Sequence, residues 1–123
     1  MTDEYQAFMH LRTYILTVKH SPRSWEELIK SADPHYRTEA LMEAAKQLGG
    51  HLIHAYFTLG GDVDQTIIVE LPGPVEVNVL LATMKATGYY KTIHAAHAIE
   101  HFEFLDTTRR AGELAGGLLL PGE

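Results

Sequence analysis

His54-Ala-Tyr-Phe-Thr-Leu-Gly-Gly-Asp-Val-Asp-Gln-Thr-Ile-Ile-Val-Glu70 decides how this chain folds. Two short runs rich in β-branched and aromatic residues flank Gly60-Gly61-Asp62, a composition that reads as two strands joined by a tight turn. His51 to Leu59 and Gln65 to Leu71 are therefore expected to pair as an antiparallel hairpin.

On the N-terminal side of this hairpin, Ala40, Leu41, Ala44, Ala45 and Leu48 recur at helical spacing, and Gly49-Gly50 closes the helix. Asp33-Pro34 supplies its start, with Asp as N-cap and Pro in the first turn. Ser24-Trp25-Glu26-Glu27 has the spacing of a capping box, which predicts a short helix over Trp25 to Ser31. Thr13 to Lys19 reads as a first strand ended by Ser21-Pro22. On the C-terminal side, Pro72-Gly73-Pro74 starts a helix carrying Val77, Leu80, Leu81 and Met84, and Gly88 caps it. Tyr89 to Ile99 follows as a fourth strand.

The order β-α-β-β-α-β is the split βαβ of ferredoxin-like folds, an α+β architecture in which a four-stranded antiparallel sheet carries its helices on one face. The other face needs a cover. A second copy packed face to face would supply it, so a homodimer or higher homo-oligomer is expected. The domain is placed at 13–100, with an N-terminal extension at 1–12 and a partly flexible C-terminal extension at 101–123. The final stretch, AGELAGGLLLPGE, is expected to fray.

A chain of 123 residues with 46% hydrophobic and 21% charged residues can bury one core. A net charge of −6 with scattered basic residues argues against nucleic acid as a partner. Zero cysteines exclude disulfides and thiolate chemistry and fit a reducing compartment. The start has no signal-peptide pattern and no apolar run approaches the ~20 residues of a membrane span. A cytoplasmic protein without a membrane partner is expected.

YILTVKHSPRSWEELI (14–29), LGGHLIHAYFTLGG (48–61), DVDQTIIVELPGP (62–74) and KTIHAAHAI (91–99) together resemble the GYD-domain family of bacterial and archaeal proteins. The resemblance implies a ferredoxin-like dimeric α/β-barrel and carries no shared activity. Of the name-giving Gly-Tyr-Asp only Asp64 keeps the pattern; Val63 stands where the Tyr would be, and the turn is one residue longer.

Alternation sorts the strands into two faces. Leu16, Val18, Ile53, Ala55, Phe57, Ile67, Val69, Leu71, Ile93 and Ala95 suit the helices. The open face then receives Thr17, Lys19, His54, Tyr56, Thr58, Thr66, Glu70, Thr92 and His94. His54, His94 and Tyr56 are the candidates for acid, base or ligand chemistry on a small molecule, with Thr17, Lys19, Thr58, Thr66 and Glu70 as further ligand-contacting groups. The alternative is that these side chains form a hydrogen-bonded interface in a non-catalytic assembly or ligand-sensing module. Whether the chain is an enzyme stays open.

The cofactor is also open. Eight histidines raise the question of metal. His94, His97 and His101 would share one face only of a helix, and the strand reading separates His94 from His97. His54, His94 and Glu70 would imitate a two-His-one-carboxylate set. Haem would need an axial His facing a large pocket. Trp25 reads as a hydrophobic anchor, Lys19 and His20 as a solvated strand end.

Overall fold

The computed structural model describes residues 10–31 and 35–118. Its elements run β1 (Arg12–His20), α1 (Pro22–Lys30), α2 (Tyr36–Gln47), β2 (His51–Phe57), β3 (Gln65–Leu71), α3 (Pro74–Ala86), β4 (Tyr90–Ala98) and α4 (His101–Leu118). The strands form one antiparallel sheet in the order β2-β3-β1-β4, the ferredoxin-like arrangement expected from the sequence. Among the described residues no helix is long and apolar enough to cross a membrane.

The core lies between one sheet face and the helices. Leu16 and Val18 of β1 and Ile67, Val69 and Leu71 of β3 meet Ala45 of α2 and Val77, Leu80 and Met84 of α3. Strict alternation along β3 buries every second residue, as a strand with one covered face must.

Local signals explain the element ends, some of which differ from the expected ones. α1 begins three residues earlier than the capping box at Ser24 suggests. Ser21 is its N-cap, with Oγ accepting from the Ser24 N–H at 3.1 Å, and Pro22 occupies the first turn. This frees the Ser24 hydroxyl, which is fully buried, for other partners. Asp33 and Pro34, read as the start of α2, lie outside the described residues.

α2 ends in a Schellman motif. Gly50 N–H donates to Ala45 O at 2.9 Å and Gly49 N–H to Lys46 O at 3.0 Å, with Gly49 in the left-handed region at φ 89°. The two glycines serve different ends: Gly49 supplies the backbone turn, while Gly50 lets the chain pass against β3.

Two departures matter for function. β2 carries a bulge between Leu52 and His54, so Leu52, Ala55 and Phe57 pair with Val69, Ile67 and Gln65 in phase with the covered face, and Ile53 does not. The expected assignment of Ile53 to the helices is corrected by this extra residue. The C-terminal extension is helical through Leu118, where a frayed tail was expected from Ala111 onward. Ion pairs one turn apart, Arg109 with Asp106 and Glu113 and Arg110 with Asp106, support α4 in spite of its glycines. Residues 119–123 lie outside the described residues.

Candidate functional site

The open sheet face holds the residues the sequence points to, laid out in rows by the register. Tyr56, Thr66, Thr17 and His94 lie side by side across the four strands. The next row is His54, Ile68, Ile15 and Ala96, and Lys19 pairs with Thr92 beyond the first. His54 and Tyr56 are close, with ring centroids 5.4 Å apart. Thr58 lies past the end of β2; its Oγ1 donates to Val63 O at 2.8 Å and locks the turn.

These rows do not bring the candidates to one point. His54 is on one edge strand and His94 on the other, three strand spacings or roughly 14 Å apart within a protomer. The two imidazoles therefore cannot act on the same small group in one subunit, and with Glu70 on β3 they do not fit a two-His-one-carboxylate set. His94 and His97 alternate in β4, so they do not fit a shared ion either. Among the described residues no three His, Asp or Glu side chains gather as a metal site would need.

The bulge produces a pair that strict alternation misses. It turns His51 to the open face opposite Glu70, where His51 Nε2 and Glu70 Oε1 are 2.7 Å apart.

A denser constellation lies on the covered side, at the end of β1. His20 is 5% exposed, in phase with Leu16 and Val18. Its Nε2 is 2.8 Å from Gln65 Oε1 and its Nδ1 is 2.7 Å from Ser24 Oγ. Because the Gln oxygen can only accept, Nε2 carries the proton, and Nδ1 accepts from the Ser24 hydroxyl. Ser24 Oγ in turn accepts from Arg37 Nη1. Arg37 also donates to Glu27 Oε2 at 3.0 Å, and its guanidinium lies 3.8 Å over the Tyr89 ring.

Asp64 fastens this assembly to the hairpin turn. Its Oδ2 accepts from the His20 backbone N–H at 2.8 Å and from the Trp25 indole N–H at 3.3 Å. Rings of Trp25, Phe57 and Tyr90 surround the imidazole at 5.3, 5.7 and 5.1 Å. Beside them opens a cavity of about 260 Å³, walled also by Leu28, Leu41 and Leu59 and edged by Thr38, Arg37 and Gln65.

Burial pushes the His20 pKa below its ordinary 6.5, with nearby Arg37 acting in the same sense; the Gln65 hydrogen bond and Asp64 oppose it. Burial likewise raises the Tyr90 phenol above its ordinary 10.0. Both stay neutral near pH 7. With both ring nitrogens held, His20 has no lone pair to offer as base, nucleophile or haem ligand.

The pH dependence follows from the direction of the shift. Below 6.5 the unfolded chain takes up a proton at His20 that the folded chain still refuses, so stability falls as pH drops from 6.5 towards the lowered value. Urea unfolding of the native protein and of His20→Gln between about pH 5 and 8 checks this. The native chain should show the steeper loss on the acid side. Parallel curves would contradict a buried neutral imidazole.

Neither His20 nor Trp25 stands out as a site residue in the sequence. A signal was nonetheless present: His20 and Gln65 are polar residues in the core phase of their strands, and each had to find a buried partner.

A family model for the GYD domain matches residues 14–107. The chain belongs to the GYD-domain family. In this GYD domain Asp64 ties the hairpin turn to His20 and Trp25. Among solved structures the chain is similar to an AsnC family transcriptional regulator from Agrobacterium tumefaciens, with a TM-score of 0.51 and 15% identity. That match covers 76% of this chain and 54% of the regulator, so the GYD chain spans about half the regulator's length and shares its fold. No curated protein matches the chain.

Proposed function

We propose that this GYD domain is a small-molecule-binding module whose ligand occupies the His20 cavity. The observation that carries the reading is a largely apolar cavity bordered by a closed polar chain, Arg37 to Ser24 to His20 to Gln65, in which the imidazole is held neutral. Apolar concavity with a few fixed polar groups is the usual make-up of a ligand site. Enclosed nitrogens favour binding over proton transfer, which supports a sensing or carrier role above an acid/base enzyme.

The test is a thermal-shift screen of small molecules on the native protein, on Thr38→Phe, which fills the cavity, and on His94→Ala, which alters the open face. Compounds that raise the melting temperature should do so equally in His94→Ala and lose the effect in Thr38→Phe. Hits that survive Thr38→Phe and vanish in His94→Ala would place the ligand on the open sheet instead.

A second reading concerns the open face itself and is favoured by α4. All 18 residues of α4 are exposed. Phe104, Thr108, Ala111, Ala115 and Leu118 share one side at alternating spacings of four and three, while Asp106, Arg109, Arg110 and Glu113 pair with one another on the other. An exposed, uncharged helix seam and an uncovered sheet face in one chain suit a second copy of it. In a homodimer His54, Tyr56 and His94, with Thr17, Lys19, Thr66 and Glu70, become interface groups. Sedimentation should give twice the chain mass, falling to one chain mass in Ile68→Glu; a monomeric native protein would reject this reading.

A further inference from the structure

The geometry points to an uncharged, flat, single-ring molecule as the ligand of the His20 cavity. This inference rests on the cavity being the binding site and adds the chemistry of what enters it.

Size sets the first limit. A volume of about 260 Å³ falls just below the roughly 300–1,000 Å³ of sites for drug-sized ligands, so the cavity suits a compound of one ring with a small substituent. Wall composition sets the shape. Trp25, Phe57 and Tyr90 present aromatic surface, and ring pairs are favourable when a flat partner can approach offset or edge-on.

Charge is limited from both sides. Arg37 borders the cavity, but its Nε, Nη1 and Nη2 already donate to Tyr36 Oη, Ser24 Oγ and Glu27 Oε2, and its face is taken by Tyr89. An anion would find this guanidinium already paired with Glu27 and committed to Ser24 and Tyr36. A cation would find no carboxylate among the described lining residues to answer it. Either charge would lose its hydration without a committed partner, a costly transfer. A neutral amide or hydroxyl, by contrast, can exchange hydrogen bonds with Thr38 and Gln65 at the edge.

Trp25 is the single tryptophan of the chain and stands in the cavity wall, so its fluorescence reports occupancy. Four probes of nearly equal size separate the possibilities: benzamide, benzoate, benzamidinium and cyclohexanecarboxamide. Benzamide should give a saturable change in Trp25 emission with a Kd at least about tenfold below those of the other three. Benzoate or benzamidinium binding as tightly as benzamide would overturn the charge inference while leaving the cavity as the site. Equal binding of cyclohexanecarboxamide would overturn the flat ring. Silence from all four up to their solubility limits would overturn the cavity reading itself.

Discussion

Gly50→Ala is expected to cost about 3 kcal/mol or more of folding stability. An alanine Cβ at this position would stand 1.8 Å from the Glu70 carbonyl oxygen, 2.8 Å from the Glu70 carbonyl carbon and 3.0 Å from Leu71 Cα. All three obstacles are backbone. They belong to β3, which is paired on both sides, with β2 and with β1, so it cannot step aside without breaking a ladder. The substitution therefore has no inexpensive relaxation, unlike a clash with the end of a flexible side chain. Gly60→Ala is the natural control, because a Cβ there meets nothing within 4 Å. Urea denaturation should leave Gly60→Ala within about 0.5 kcal/mol of the native protein. A loss below about 1 kcal/mol in Gly50→Ala would show that the α2 to β2 junction is looser than its geometry implies.

The second large effect is expected at Arg37. Replacing it with alanine should destabilise the domain by about 3 kcal/mol, summed from charge-assisted hydrogen bonds and the stack on Tyr89. The partners decide where that energy lies. The Glu27 side chain is 42% exposed and can return to water, so this ion pair by itself contributes little. Ser24 is fully buried and cannot, so its hydroxyl loses the donor that orients it towards His20 Nδ1. Arg37→Lys keeps the charge but has neither the planar face for Tyr89 nor the fork that reaches Ser24 and Glu27 together, and should recover less than half of the loss. Full recovery by lysine would mean that charge alone matters here, and the directed chain to His20 would lose its support.

Much of the fold was legible because each element announces itself locally. The β2–β3 hairpin follows from Gly60-Gly61 between β-prone runs, and the α2 stop follows from Gly49. α3 follows from Pro74 and the spacing of Val77, Leu80 and Met84. The departures have equally specific causes. A bulge at Ile53 adds a residue that no periodicity reveals, and every assignment on the N-terminal side of it changes face, His51 included. α4 was hidden by Gly112, Gly116 and Gly117, which lower helix propensity; its support comes from ion pairs between neighbouring turns.

The candidate site was harder to see for a physical reason. Sequence alternation separates faces, but it does not say which strands are neighbours. His54 and His94 share the open face as expected, yet the strand order places them on opposite edges. His20, Ser24, Arg37, Asp64 and Gln65 come from four separate parts of the chain and meet only through tertiary packing. Each is an ordinary residue by itself: a strand end, a serine in a short helix, one scattered arginine, a turn aspartate, the first residue of β3.

The central claim, that the ligand of this GYD domain enters the cavity beside His20, is tested most directly by mapping NMR chemical shifts of the full chain during a titration with benzamide. Shifts centred on the Trp25 indole N–H, the His20 ring, Leu41 and the Gln65 carboxamide, with Thr17, Thr66 and His94 unmoved, are the predicted result. Shifts concentrated on Thr17, Thr66 and His94, with the His20 and Trp25 signals unmoved, would contradict it and move the site to the open face of the sheet.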